Sequence, residues 1–169
     1  LFPVASLIGT LFALAQLVAS SEYTVMRVSG ASLLQVGWSL VRVGIPLAIV
    51  EPHRHFTLIE STGKKCRFLE HVRDALELKN VAVVQSRAES YKPDMRFDTV
   101  LARAVGPVAD LVKVAGPLVV GGGRLLAMKG KAPTEDLKAL PPGWKALAVH
   151  PVRVPGLDAE RCLVELARV

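Results

Sequence analysis

A chain of 169 residues, 51% of them hydrophobic, is long enough to bury one α/β core and too apolar to be read as disordered. Its net charge of +6 at pH 7 and sequence pI of about 9.6 point to a polyanionic partner, nucleic acid before acidic membrane. Its two cysteines, Cys66 and Cys162, lack the spacing of a disulfide scaffold or zinc ribbon and read as free thiols of a reducing, cytoplasmic compartment.

The chain opens on an atypical segment, residues 1–31. Lys and Arg number 21 overall and Asp and Glu 15, yet only Glu22, Arg27 and Arg42 fall within the first fifty residues. Leu1–Ser21 is uncharged and long enough for a membrane span, but it lacks the basic flanks that orient a signal or anchor. Three readings stand for it: a buried helix, a membrane-associated segment, or non-native sequence such as a frameshifted translation. No membrane partner is expected.

Residues 32–169 read as one folded domain. Ser32–Gly37 has the pattern of a buried strand ending in a glycine turn, and Gly44–Val50 that of a short helix with Pro46 in its first turn. His55–Glu60 is a second strand. Gly63–Leu78 is the clearest helix, with Phe68, Leu69, Val72, Ala75 and Leu76 on one face. Strands follow at Val81–Ser86 and Phe97–Ala102, then a helix over Pro107–Val120 that Gly116-Pro117 breaks. Gly121–Gly123 reads as a turn before a strand at Arg124–Lys129, and Pro133–Leu140 as a short helix. Ala146–Val154 and Arg161–Ala167 read as two strands around Pro155-Gly156, with no helix between them. The alternation predicts a doubly wound, mainly parallel sheet closed by an antiparallel C-terminal hairpin.

Ligands of such sheets bind outside the carboxyl ends of the strands. Three elements converge there: the loop Gly37–Gly44, the acid Glu60, and the run Ser86-Arg87-Ala88-Glu89. Glu60 has two readings, as acceptor for both hydroxyls of a ribose or as an acid favoured by the dipole of the helix that follows. Lys64, Lys65 and Arg67 open that helix, while Arg103, Lys129, Arg153 and Arg161 sit at or near strand ends. Together they form a set of cations suited to RNA phosphates. The four histidines show no metal-ligand spacing beyond the weak pair His53/His55, so no metal is expected.

From Gly44 onward the order of motifs GIPLAIVEPHRHFTLIES, GKKCRFLEHVRDALEL, VVQSRAES, FDTVLARAV, LLAMKGK and VPGLDAERCLVEL resembles the RsmG/GidB family. The resemblance implies a Rossmann-like class I methyltransferase that uses S-adenosylmethionine. The implied target is N7 of a guanine in small-subunit (16S) ribosomal RNA, on the free RNA or a ribosomal subunit. It implies cofactor contacts at Gly37, Arg42, Glu60, Ala88, Glu89 and Arg103. Arg103, Lys129 and Arg161 become candidates for positioning substrate. A monomer is expected.

One loop departs from the pattern. Where the family reads close to DVGSGxGLPGIPL, this chain has QVGWSLVRVGIPL over Gln35–Leu47. Ser39 and Val41 replace glycines, Gln35 an acid and Val43 a proline, so side chains stand where backbone must approach a ligand. Resemblance and charge density both change near Gly44, which predicts that the preceding residues come from a frameshift or sequence error. Three other functions stand beside methyl transfer. One, from the altered loop, is an inactive remnant that keeps RNA binding with a damaged cofactor loop. A second, a nicotinamide-dependent oxidoreductase on the related dinucleotide fold, is disfavoured by the missing Gly-x-Gly-x-x-Gly and by the ARA…MKG context. A third is a membrane-tethered protein using Leu1–Ser21.

Overall fold

The structure, a computed structural model, describes residues 43–103, 106–133, 135–153 and 160–169. The expected first strand, Ser32–Gly37, lies outside them, as do the segment 1–31 and the Pro155-Gly156 turn. The chain forms two compact units, one ending at Arg87 and the other starting at Ala88.

In the first unit, helix α1 (Ile45–Val50) starts with Pro46 in its first turn, where the missing N–H costs nothing. Strand β1 (Phe56–Glu60), helix α2 (Gly63–Ala75) and strand β2 (Val81–Gln85) form a βαβ unit whose strands pair in parallel, from Phe56 opposite Val81 to Glu60 opposite Gln85. Ile45, Ala48, Leu58, Leu69 and Val81 make its core, with Phe68 and Val72 packed against it. The expected helix to Leu78 ends earlier, at Ala75, because Glu77 turns to a positive φ of 51°. The apolar face also differs: Cys66 and Leu69 are buried, whereas Ala75 and Leu76 are exposed at the helix end. Asn80 ties this unit together. Its side-chain amide donates to the carbonyls of Ala48 (2.9 Å), Arg54 (3.1 Å) and Glu51 (3.4 Å), closing the end of α1 and the loop into β1.

The second unit holds a four-stranded sheet in the order β3-β4-β6-β5. Strand β3 (Phe97–Arg103) runs parallel to β4 (Val119–Lys129), joined through helix α3 (Val108–Ala115) and a 3-10 turn at Gly116–Leu118, where the expected break falls. Strands β5 (Trp144–Val152) and β6 (Arg161–Arg168) form the expected antiparallel hairpin, with β6 inserted next to β4. Val108, Val112 and Ala115 pack on Leu125, Ala127, Val164 and Leu166 to form the core. On the opposite face of β6, buried Glu165 accepts from Arg124 Nε and pairs with His150 Nε2, each at 3.2 Å.

Two expectations change here. Gly121–Gly123 is no turn but part of β4, which starts at Val119. The register with β3 slips between Phe97 and Thr99, and the glycines absorb that irregularity. Gly122 sits at φ 76°, and a Cβ on Gly123 would lie 2.8 Å from the Asp98 carbonyl oxygen. The short helix expected over Pro133–Leu140 contracts to a 3-10 turn at Asp136–Ala139.

Candidate functional site

Strand β1 ends on Glu60, and the chain turns at once into α2. Thr62 precedes the helix without a side-chain cap, and the Glu60 carboxylate instead holds the N–H of Thr62 itself. Its Oε1 accepts from the Thr62 N–H at 2.9 Å and from the Ser61 hydroxyl at 3.4 Å, and its Oε2 lies 3.6 Å from Lys65 Nζ. The first turn of α2 holds Lys64 and Lys65 and no acid, which sets cations against the positive helix end and costs about 0.3–1 kcal/mol each. Such a local conflict is what a binding site tolerates. Burial pushes the Glu60 carboxyl up, but the Thr62 N–H and the Lys65 ammonium outweigh it and hold the pKa below the ordinary value of 4.5. The acid is therefore ionised, pre-oriented and only 14% exposed. A carboxylate offers about four acceptor positions, so Glu60 keeps capacity for a vicinal diol. Glu60 thus braces the turn into α2 through Thr62 and Lys65.

Beside it, Gln85 ends β2 in register with Glu60 and packs its amide against Gly63, where an added Cβ would lie 3.2 Å from Nε2. The sequence did not single out Gln85; only strand register reveals it. Arg67 and Lys64 are exposed on α2.

In the second unit, Ala88 is half-buried and Glu89 exposed, both in a turn after Arg87. Arg103 is exposed at the carboxyl end of β3. Lys129, at the end of β4, is half-buried and donates to the Gly106 carbonyl, so it fastens the loop that leads into α3. Arg161 opens β6 and is exposed; its Nη1 donates to the Glu160 carbonyl at 2.7 Å. Arg103, Lys129 and Arg161 therefore lie at one end of one sheet, since Arg103 pairs with Met128 and Lys129 with Cys162. Gly37 and Arg42 lie outside the described residues. Among the described residues, no group of three or more His, Cys, Asp or Glu side chains is placed to hold a metal, and no helix is long and apolar enough to cross a membrane. Cys66 and Cys162 are free and buried, and burial pushes both thiols up, away from reactivity.

Parallel βαβ pairing, an acid at a strand's carboxyl end and an antiparallel closing hairpin define a Rossmann-like class I methyltransferase fold. Solved structures share it. TrmN from Thermus thermophilus superposes with a TM-score of 0.61 at 17% identity, covering 76% of this chain and 41% of that one. The N-methyltransferase NodS from Bradyrhizobium japonicum, in complex with S-adenosyl-L-homocysteine, gives 0.56 at 10% identity over 74% of this chain and 72% of that one.

Sequence comparison narrows the class. The family model for rRNA small subunit methyltransferase G, GidB, matches residues 43–164, and the chain belongs to that family. The ribosomal RNA small subunit methyltransferase G of Xanthomonas euvesicatoria is 44% identical over 137 residues, 81% of this chain and 65% of that protein. That of Marinobacter nauticus is 45% identical over 136 residues, 80% of this chain and 64% of that protein. The chain thus spans about two thirds of the length of these relatives. A second family model, for the lipopolysaccharide export system permease LptF/LptG, matches residues 1–51.

Proposed function

We propose that this chain carries out S-adenosylmethionine-dependent methylation of N7 of a guanine in small-subunit ribosomal RNA. The observation that carries the reading is the family match over residues 43–164, and an ionised Glu60 at the end of β1 supports it. An ionised, pre-oriented Glu60 supports such a donor. Glu60 would take the ribose hydroxyls, Ala88 and Glu89 would line the adenine side, and Arg103 would border donor and substrate. Gly37 and Arg42, outside the described residues, complete the expected set.

S-adenosylmethionine supplies an electrophilic methyl group on a sulfonium. Guanine N7 has an exposed lone pair, so no residue must remove a proton before attack. The protein's work is then to orient that lone pair within about 3 Å of the methyl carbon and in line with it. Arg103, Lys129 and Arg161 would do this by holding RNA backbone, with Lys129 also fixing the loop at Gly106. Transfer of a labelled methyl group to small-subunit RNA tests the reading, with retained label at guanine N7 as the expected product.

A second reading has a specific observation behind it. The family match begins at residue 43, just past the loop in which Ser39 and Val41 replace glycines. On this reading the chain is a remnant that holds RNA but binds the donor poorly. The two family matches meet between residues 43 and 51, which supports a junction there between permease-like and methyltransferase sequence. Sequencing the source gene tests the junction: an interrupted frame near codon 43 is expected of a frameshift, and a continuous frame of a fusion.

A further inference from the structure

The sheet end that carries Arg103, Lys129 and Arg161 holds two more cations. Lys131 lies two residues past the end of β4 and Arg153 one residue past β5, and both are exposed. Register fixes their neighbourhood. Val152 pairs with Arg161 and Lys129 with Cys162, so Arg153 comes off the sheet beside Arg161, and Lys131 comes off beside the start of β6. Strands stand about 4.8 Å apart, so these five cations form a rim about 14 Å long across all four strands. Alternation splits them between the faces. Lys129 follows Leu125 and Ala127 onto the α3 side, whereas Arg161 shares the opposite side with Leu163 and Glu165.

Some described cations are paired and others, such as Lys64, Arg67 and Lys145, are not; what distinguishes the rim is that five unpaired ones gather on one sheet edge. Arg54, Lys65, Arg73, Lys113, Arg124 and Lys138 each lie within 4.0 Å of an acid. Among the described residues none of the five rim cations does, although Glu160 lies next to Arg161 in the chain. Unpaired cations gathered on one edge leave their field open to an external polyanion. A row of cations suits a phosphodiester backbone.

We propose that Lys131 and Arg153 are RNA-phosphate positioning residues, and that the rim grips RNA backbone without the methyl donor. The choice of RNA as the polyanion rests on the methyltransferase reading; the grip does not depend on methyl transfer. A chain that holds substrate without modifying it would also compete for that substrate with active relatives.

Fluorescence anisotropy of the full chain with a labelled single-stranded oligoribonucleotide, without S-adenosylmethionine, tests this. Binding should weaken as salt rises from roughly 50 to 200 mM, by about 0.7 in the log–log slope per phosphate contact. The double variant Lys131→Gln/Arg153→Gln should lower that slope by about 1.4 and affinity by about 25-fold at roughly 0.1 M salt. Lys113→Gln/Lys138→Gln removes the same charge from α3 and the 3-10 turn, and should change the slope by less than half as much. An unchanged slope in the rim variant, equal losses in both variants, or binding that requires the donor would each overturn the proposal. So would equally tight, equally rim-dependent binding to phosphatidylglycerol vesicles. RNA bound without methyl transfer would leave the proposal standing while removing the enzymatic reading.

Discussion

The Glu60 carboxylate joins strand end, helix start and candidate ligand in one group, and its protonation should be visible in stability. Its folded-state pKa lies below the ordinary value, because the contacts from Thr62 and Lys65 outweigh burial. The stabilisation from the ionised form is therefore complete above the ordinary carboxylate pKa and is lost as pH falls through the lower folded value. Urea midpoints measured on acidification should fall through that window, and Glu60→Gln should flatten the fall. A variant curve parallel to the parent's would show that Glu60 makes no such contribution. Asn80 offers a purely structural counterpart. Asn80→Ala removes a donor shared among three carbonyls at the end of α1. It should destabilise the chain by about 1–3 kcal/mol in urea unfolding, the range for leaving half-buried polar groups unsatisfied.

Among the elements, β4 shows where sequence pattern reaches its end. Three consecutive glycines offer no side-chain periodicity, so locally they resemble a turn; pairing with β3 draws them into a strand around an irregular register. Gly123→Ala would place a Cβ 2.7 Å from a Val119 methyl and 2.8 Å from the Asp98 carbonyl, both on confined neighbours. A loss of about 1–3 kcal/mol is expected for such overpacking, read as a lower thermal midpoint; an unchanged midpoint would contradict this account of β4. Helix α2 was legible from Phe68, Leu69 and Val72, but its end was not. Leu76 continues the apolar spacing, yet it is 49% exposed because Glu77 leaves the helical conformation. The βαβ alternation, the break at Gly116-Pro117 and the closing hairpin were all readable, since each rests on local chemistry. Glu60 was readable from its place at a strand end. Arg153 was already legible as a strand-end cation, but Gln85 and the placement of Lys131 were not, because strand register alone brings them beside their neighbours.

Over the whole molecule, the change in charge density and the meeting of two family matches fall in the same stretch, residues 43–51. The part matched by the methyltransferase family has Glu60 at a strand end, cations along one sheet edge and two packed cores. The loop ahead of Gly44 carries bulky residues where the family has glycines. Restoring glycine at Ser39 and Val41 should therefore tighten donor binding, by removing side chains from the backbone's approach to the ligand. Titration calorimetry of Ser39→Gly/Val41→Gly beside the parent chain checks this, and equal affinities would free the loop from blame. The most direct test of the central claim is calorimetry of S-adenosylmethionine with the full parent chain and with Glu60→Ala, each first shown to be folded by urea unfolding. The account predicts saturable binding to the parent and its loss in the variant; no binding by the folded parent, or binding indifferent to Glu60, would contradict it.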